Sequence, residues 1–306
     1  ASLTGSNLSN AGGDGIVGSL TGGSKAQIVV DTTSIANAGA NGLFITNSGT
    51  SQFWGSLTDS SLDSAGLNGI RLDTAGSSRT TLILDNSDAT NAGQNGLVAT
   101  TVGNSRTDIA MTDQAFDNAG ADAFNVTSNS GSLTLVSGNR VSGASAGGDG
   151  IQVSADNGRV GFNWINTGSF AGAANDGINF NGINGSNISL AIDGAPSSFD
   201  GAGGDGIRGT LTDSTGVLTL TDTTFKNAAG EGIGITATNS TFTGSVTNGA
   251  FDNAGSNGAR LTLNNSTGNL LLDNTDVLNA GGDALQVTAT NGSGSTVVLQ
   301  NGVALD

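Results

Sequence analysis

The chain of 306 residues contains no cysteine, no histidine and no tyrosine, and it has a single proline. Without cysteine it can form neither disulfides nor thiolate metal sites. Without histidine it lacks the commonest general base and the commonest ligand of transition metals. Thiol chemistry and histidine-based catalysis are therefore excluded.

Basic residues are also scarce, with nine Lys and Arg against 25 Asp and Glu, which gives a net charge of −16. Such a surface repels phosphate backbones, so nucleic acid is not an expected partner. The same charge suits divalent cations. No apolar run approaches the length of a membrane span, and no signal peptide is visible.

The sequence does contain a seven-residue motif that is repeated eleven times. Residues 10–16 and 37–43 are clear copies of it. Its invariant member is an alanine, found at Ala11, Ala38, Ala65, Ala92, Ala119, Ala146, Ala173, Ala202, Ala228, Ala254 and Ala280. Three residues later comes an acid or amide, at Asp14, Asn41, Asn68, Asn95, Asp122, Asp149, Asp176, Asp205, Glu231, Asn257 and Asp283. These positions are 27, 29 or 26 residues apart. A period this regular indicates a repeat architecture in which single units stack.

Each repeat reads as one coil of about three short strands. Apolar residues alternate with polar ones after the acid or amide, as at Ile70 and Leu72, and again in a second segment such as Leu82 and Leu84. This alternation is typical of strands with one buried face. A third apolar position lies six residues before the acid or amide and holds phenylalanine in four consecutive coils: Phe170, Phe199, Phe225 and Phe251. Stacked coils would pair every strand with its copy about 4.8 Å above and below.

Strand openings of the type Asp149-Gly150-Ile151, with a coil of this length, resemble the right-handed parallel β-helix family, the pectin-lyase-like solenoids. The resemblance implies an all-β fold: a single right-handed parallel β-helix, or β-solenoid, of about eleven coils of 26–29 residues with three short strands per coil. We expect residues 1–306 to form one continuous β-solenoid, a segment of a longer repeat array. The family includes lyases, hydrolases and surface proteins, so the resemblance specifies fold more than activity.

Stacking of the coils would place the acids and amides that follow the alanine in one column, which we call the acid or amide column. This column is the most informative polar feature. Asn41, Asn68 and Asn95 are expected to form an amide ladder. Five consecutive coils then carry an acid, and carboxylates stacked about 4.8 Å apart repel one another. Two interpretations remain open: the acids cap turn N–H groups, or they bind Ca²⁺ between coils. The candidate calcium ligands are Asp122, Asp149, Asp176, Asp205 and Glu231.

Other candidate residues have simpler expected roles. Arg71, Arg208 and Arg260 share the outward position three residues after the acid or amide, where we expect them to neutralise acids without forming a cleft. Trp54 and Trp164 are expected to pack in the core or at a strand edge, with sugar stacking as the alternative. The glycines that flank the acid are expected to turn the chain, with positive φ as one reason for glycine there.

These observations favour a structural, self-assembling β-solenoid of an extracellular fibre, sheath or large cell-surface protein, closest in character to the non-enzymatic, adhesin-type members of the family. The coils are regular, with no room for the long loops that wall the family's catalytic sites. We therefore expect no enzymatic activity and no required cofactor, with Ca²⁺ as the one candidate ion. The alternatives are a polysaccharide lyase or hydrolase, or a carbohydrate-binding adhesin. Expected partners are further copies of the chain and surface polysaccharide, and the expected location is extracellular or on a bacterial cell surface.

Overall fold

A computed structural model describes residues 1–166, 168–194 and 197–306, and all regular elements in those ranges are β-strands. Two long parallel sheets are built from strands of successive coils. This arrangement confirms the predicted parallel β-solenoid of about eleven turns. No helix in the described ranges could cross a membrane.

The first sheet, called sheet A, has twelve strands, one from each successive coil. Its strands are β1 (Ser2–Thr4), β3 (Lys25–Asp31), β5 (Gln52–Thr58), β7 (Arg79–Asp85), β9 (Arg106–Ala115), β11 (Leu133–Ser142), β13 (Arg159–Ile165), β15 (Asn187–Asp193), β18 (Thr215–Thr221), β21 (Thr241–Thr247), β23 (Thr267–Asp273) and β26 (Gly294–Gln300). In β5, Phe53 and Leu57 point into the core while Trp54 and Ser56 face outward, as period-two alternation requires.

The second sheet, sheet B, has eleven strands and follows directly on the acid or amide column. Its strands are β2 (Ile16–Leu20), β4 (Leu43–Asn47), β6 (Ile70–Gly76), β8 (Leu97–Gly103), β10 (Phe124–Asn129), β12 (Ile151–Asp156), β14 (Ile178–Ile183), β17 (Ile207–Thr212), β20 (Ile233–Thr238), β22 (Ala259–Asn264) and β25 (Leu285–Thr290). The register pairs equivalent residues, for example Ile178 with Ile207 and Ile207 with Ile233. Like side chains therefore form columns along the solenoid.

The third side of the coil is less regular than the other two. It consists of two-residue strands and single bridges, such as the parallel bridge from Ser34 to Ser61. The short strands are β16 (Ser197–Ser198) paired with β19 (Thr223–Thr224), and β24 (Asp276–Val277) paired with β27 (Ala304–Leu305). β9 and β11 run on from sheet A into this side, where Gln114 pairs with Val141.

The phenylalanine column forms the core behind the third side. Phe170, Phe199, Phe225 and Phe251 are fully buried, and their rings stack with centroids 5.1, 4.9 and 5.4 Å apart. The structure therefore gives this column the packing role expected from the sequence. Trp164 is also buried and lies over Phe170, so it cannot serve as a surface platform. Trp54 lies half-buried on the outer face of sheet A.

The expectation of positive φ at the glycines flanking the acid is wrong. The residue with positive φ is instead the first residue of the seven-residue motif, as at Asn37 (φ 56) and Asn118 (φ 58). Asparagine tolerates this conformation because its short side chain bonds locally. Glycine follows the column residue for a steric reason instead: a Cβ on Gly42 would lie 2.7 Å from the Gly69 carbonyl oxygen and 2.9 Å from Leu62 Cβ.

Candidate active site

The acid column lies at the turn that leads into sheet B, where each side chain reaches the next coil. The inner oxygen, Oδ1, of each aspartate accepts a hydrogen bond from the backbone N–H of the following column residue. The bonds run from Asp149 N to Asp122 (2.9 Å), Asp176 N to Asp149 (2.9 Å), Asp205 N to Asp176 (2.7 Å) and Glu231 N to Asp205 (2.7 Å). The acids therefore cap turn N–H groups, one of the two interpretations left open by the sequence.

The amide part of the same column makes the expected ladder. Asn68 Nδ2 donates to Asn41 Oδ1 at 2.9 Å, and Asn95 Nδ2 donates to Asn68 Oδ1 at 2.9 Å. Each amide therefore both accepts from the next coil and donates to the previous one. Ionised carboxylates cannot donate hydrogen bonds. In the acid segment (Asp122, Asp149, Asp176, Asp205 and Glu231) the side chains therefore cap backbone N–H groups but do not bond one another.

Two aspartates in the middle of the acid segment are almost completely buried. Asp149 and Asp176 are each only 6% exposed. Removal from water, reinforced by repulsion from Asp122 and Asp176, raises the pKa of Asp149 from 3.8 to about 6. Its outer oxygen, Oδ2, accepts from Asn179 Nδ2 at 3.3 Å. Oδ2 of Asp122 likewise accepts a hydrogen bond, from Asn125 Nδ2 at 2.8 Å.

The most distinctive part of the column is Glu231, the only glutamate in the chain. Its longer side chain reaches toward Gly234, where an added Cβ would lie 2.1 Å from Glu231 Oε2 and 3.5 Å from Asp205 Oδ2. Gly234 occupies the outward position that holds Arg208 and Arg260 in the neighbouring coils. The missing side chain thus opens a gap between two guanidinium groups, and both acids place an oxygen beside it.

Charge in this gap is unevenly balanced between the two acids. Arg260 Nε donates to Glu231 Oε1, whereas the buried Glu231 Oε2 has no hydrogen-bond partner among the described residues. Burial raises the pKa of Asp205, and the neighbouring charges of Asp176 and Glu231 raise it further. One carboxyl is therefore paired with a cation through one oxygen, and the other has a pKa above its usual range.

The gap belongs to a continuous groove, which we call the acid groove. One cavity of about 340 Å³ is lined by Asp205, Glu231, Arg208 and Arg260. A second of about 290 Å³ is lined by Asp149, Asp176 and again Arg208. The expectation that the arginines mark no cleft is therefore wrong: with glycine between them, Arg208 and Arg260 form the two walls of a cavity.

Of the five predicted residues, the structure brings Asp205 and Glu231 together at the gap. Asp149 and Asp176 line the adjoining cavity, and Asp122 lies one coil further along. The structure adds Gly234, which the sequence analysis missed. A signal was present, because a lone glutamate and a lone glycine at the outward position occur in the same coil.

Calcium between coils remains a prediction. Within residues 1–166, 168–194 and 197–306, no group of three or more carboxylates converges closely enough to form a metal site. Any ion would have to bind between the outer oxygens of neighbouring aspartates and complete its shell with water and backbone oxygens.

Comparison with known proteins returned no matching family model and no matching curated protein. Similar solved structures include the catalytic domain of a GH87 α-1,3-glucanase variant in complex with nigerose (13% identity, TM-score 0.49, covering 96% of this chain and 64% of that one). A second GH87 α-1,3-glucanase variant, in complex with tetrasaccharides, has 14% identity and a TM-score of 0.36, covering 97% of this chain and 62% of that one. The catalytic unit of a thermostable GH87 α-1,3-glucanase from Streptomyces thermodiastaticus strain HF3-3 has 12% identity and a TM-score of 0.35, covering 89% and 63%.

The chain spans less than two thirds of the length of these structures. At such low identities the likeness concerns the fold, and no activity is assigned to this chain from it. The likeness does correct one expectation. Each of these β-solenoid structures is a catalytic domain or unit, which contradicts the expectation that a solenoid of this kind has no enzymatic activity.

Proposed function

We propose that the chain is a glycoside hydrolase that cleaves an extended polysaccharide in the acid groove. The observation that carries the proposal is the pair Asp205 and Glu231 beside Gly234, two carboxyls of adjacent coils with an open space between two arginines. Adjacent coils are about 4.8 Å apart, close to the carboxyl separation of about 5 Å used by retaining glycosidases.

The two carboxyls suit the two roles of that mechanism. Asp205, whose pKa is raised by burial, donates a proton to the glycosidic oxygen as the bond from that oxygen to the anomeric carbon breaks. Glu231 forms the new bond to the anomeric carbon through Oε2, which has no partner among the described residues and must first turn from its buried position into the cavity. A water then attacks that carbon and gives its proton to the Asp205 carboxylate, which releases the sugar and restores both groups.

Two further features of the groove support this assignment. Arg260 holds Glu231 through Oε1, which orients Oε2 toward the gap. The groove continues past Arg208 to Asp149 and Asp176, parallel to the solenoid axis, and so offers length for several sugar units. Asp205 Oδ1 is held by the Glu231 N–H, which leaves Oδ2 as the oxygen that carries the proton.

The test is release of reducing ends from a panel of neutral glucans, including an α-1,3-glucan, and of uronic polysaccharides. Asp205→Asn and Glu231→Gln should each reduce cleavage by at least about a hundredfold. Asp283→Asn is the matched control, because it changes the same column at an exposed position outside the groove and should leave activity within about twofold. Asparagine occurs naturally in this column at Asn41 and Asn68, so Asp205→Asn should keep the cap.

Azide distinguishes chemistry from structure in this assay. In Glu231→Ala, azide should restore turnover and yield a glycosyl azide, because a small nucleophile replaces the lost carboxylate. Absence of cleavage across the whole panel, or full activity in both groove variants, would overturn the proposal.

Assembly of copies into a fibre, the main expectation from the sequence, stays a separate prediction. Sedimentation velocity and electron microscopy at rising protein concentration would test it. Growing particles would support it, and a stable compact monomer at the highest concentration would refute it.

A further inference from the structure

Sheet A carries a row of cations on its outer face. The strand register aligns Lys25, Gln52, Arg79, Arg106, Leu133 and Arg159 as the first residues of successive strands. Four of the nine basic residues of a chain with net charge −16 therefore lie in one column. Gln52 and Leu133 interrupt the row, so neighbouring cations lie either one or two coils apart, about 5 or 10 Å.

Beside this row lies a long surface depression, which we call the trough. One end, of about 490 Å³, is lined by Lys25, Gln52, Trp54 and Arg79. The other, of about 640 Å³, is lined by Asp108, Leu135 and Ala191 among others, and Thr81 belongs to both. The trough therefore runs along the solenoid axis over about seven coils, or on the order of 30 Å.

The floor of the trough combines an aromatic ring with small and apolar side chains. Trp54 is the half-buried member of the column that continues with Thr81, Asp108, Leu135 and Gly161. A partly exposed indole that lines such a depression suits the C–H face of a sugar ring. Ala110 and Leu135 extend an apolar surface beyond it.

Most of the positive charge is available to a ligand. Arg79 and Arg106 both bond the single carboxylate of Asp108, at 2.9 and 2.7 Å, so one acid is shared by two cations. Lys25 and Arg159 form no ion pair among the described residues and are exposed. The acid on the strand of Lys25, Asp31, lies at the opposite strand end, about 20 Å away, and the strand of Arg159 carries no acid.

We propose that the trough binds an anionic polysaccharide, a carboxylated or sulfated glycan, lying parallel to the solenoid axis. Sugar rings stack on Trp54 and contact the apolar floor. Acidic groups meet Lys25 and Arg79, which line the trough, and Arg106 and Arg159, which continue the row beside it. A flexible chain of sugars can follow a row of cations that lie one or two coils apart. This site is on the other sheet from the acid groove and goes beyond the proposed hydrolysis.

The experiment measures binding of the intact chain to alginate, dextran sulfate and neutral dextran at low and high salt. Lys25→Gln with Arg159→Gln should weaken binding to the anionic polymers by about tenfold, because it removes the two cations of the row that have no ion-pair partner among the described residues. The matched control, Arg140→Gln with Lys226→Gln, removes the same two charges from ion pairs elsewhere and should change binding by less than about twofold. Alginate and dextran sulfate distinguish carboxylate from sulfate as the preferred group.

Trp54→Thr tests the stacking role with a residue already accepted at Thr81 in the same column. It should weaken binding by about tenfold while leaving the salt dependence unchanged, because it removes no charge. Melting curves of all variants show that each is folded. The proposal is overturned by equal binding to neutral dextran, by equal losses in the control, by stronger binding to single-stranded poly(dT), or by self-association that Lys25→Gln with Arg159→Gln abolishes.

Discussion

The amide segment (Asn41, Asn68, Asn95) and the acid segment (Asp122, Asp149, Asp176, Asp205, Glu231) occupy one position of successive coils. In both, a side-chain oxygen caps the backbone N–H of the next coil. In the amide segment each side chain also donates a hydrogen bond to its neighbour, so few hydrogen-bonding groups remain for a ligand. In the acid segment the donor is replaced by a second oxygen, which faces side chains of sheet B or the groove.

This difference separates what the fold requires from what it tolerates. Asparagine alone provides the cap, so the fold does not need a carboxylate at this position. A carboxylate there is penalised by burial and by repulsion between coils, as the raised pKa of Asp149 shows. Five consecutive acids therefore indicate a use other than folding, and the groove is where their outer oxygens lie.

The largest expected effect contrasts two glycines. Gly42→Ala should lower the free energy of unfolding by about 3 kcal/mol, because its Cβ would meet the Gly69 carbonyl and Leu62, which cannot yield. Gly234→Ala should cost less than about 1 kcal/mol, because its Cβ would meet the movable end of Glu231. Urea denaturation followed by circular dichroism measures both. The same Gly234→Ala protein should lose polysaccharide cleavage. Equal losses of stability in the two variants would show that Gly234, like Gly42, is needed for packing and would contradict this prediction.

A second prediction places an acid in the amide segment. Asn68→Asp should lower stability by about 2 kcal/mol at pH 7, because the bond to Asn41 Oδ1 is lost and a charge is buried. Burial raises the pKa of such a carboxyl, so the loss should shrink as the pH falls below that pKa and the group becomes neutral. Asn91→Asp, in an exposed ladder with Asn118, is the control and should change stability by less than about 0.5 kcal/mol. A loss at Asn68 that is the same at pH 4 and pH 7 would exclude charge as its cause.

The parallel solenoid and the five acids were predictable because the repeat fixes the register and the register makes columns. The gap at Gly234 was not, because it depends on side-chain length in one coil: only Glu231 is long enough to enter the space that a missing neighbour leaves. The cation row was likewise hidden, since strand pairing alone brings Lys25 and Arg159 into the column of Arg79 and Arg106. The left-handed asparagines were missed because glycine is the usual residue for that conformation.

The reverse substitution should stabilise the acid segment. The folded pKa of Asp149 is about 6 against 3.8 for the free group, so its penalty is absent below pH 3.8, grows from pH 3.8 to 6 and is complete above pH 6. Asp149→Asn should therefore raise stability at pH 7 by on the order of 1–2 kcal/mol, since solvent near the groove screens part of the penalty. Thermal melts from pH 3.5 to 7.5 should show a flatter profile for this variant. Asp283→Asn, exposed in the same column, should leave the profile unchanged; an unaltered profile in Asp149→Asn would contradict the assignment.

The smallest effect concerns calcium, the predicted occupant of the acid segment. A shared ion would lower the repulsion between the outer oxygens of Asp149 and Asp176, which line one cavity. With the millimolar affinity typical of weak extracellular sites, 1 mM Ca²⁺ should stabilise the fold by about 1 kcal/mol or less. EGTA should then lower the melting temperature slightly, and Asp149→Asn with Asp176→Asn should remove that response while raising the melting temperature in EGTA. Identical melting with and without EGTA would leave the acids without a metal role, and the contrast with the amide segment would then rest on the groove alone.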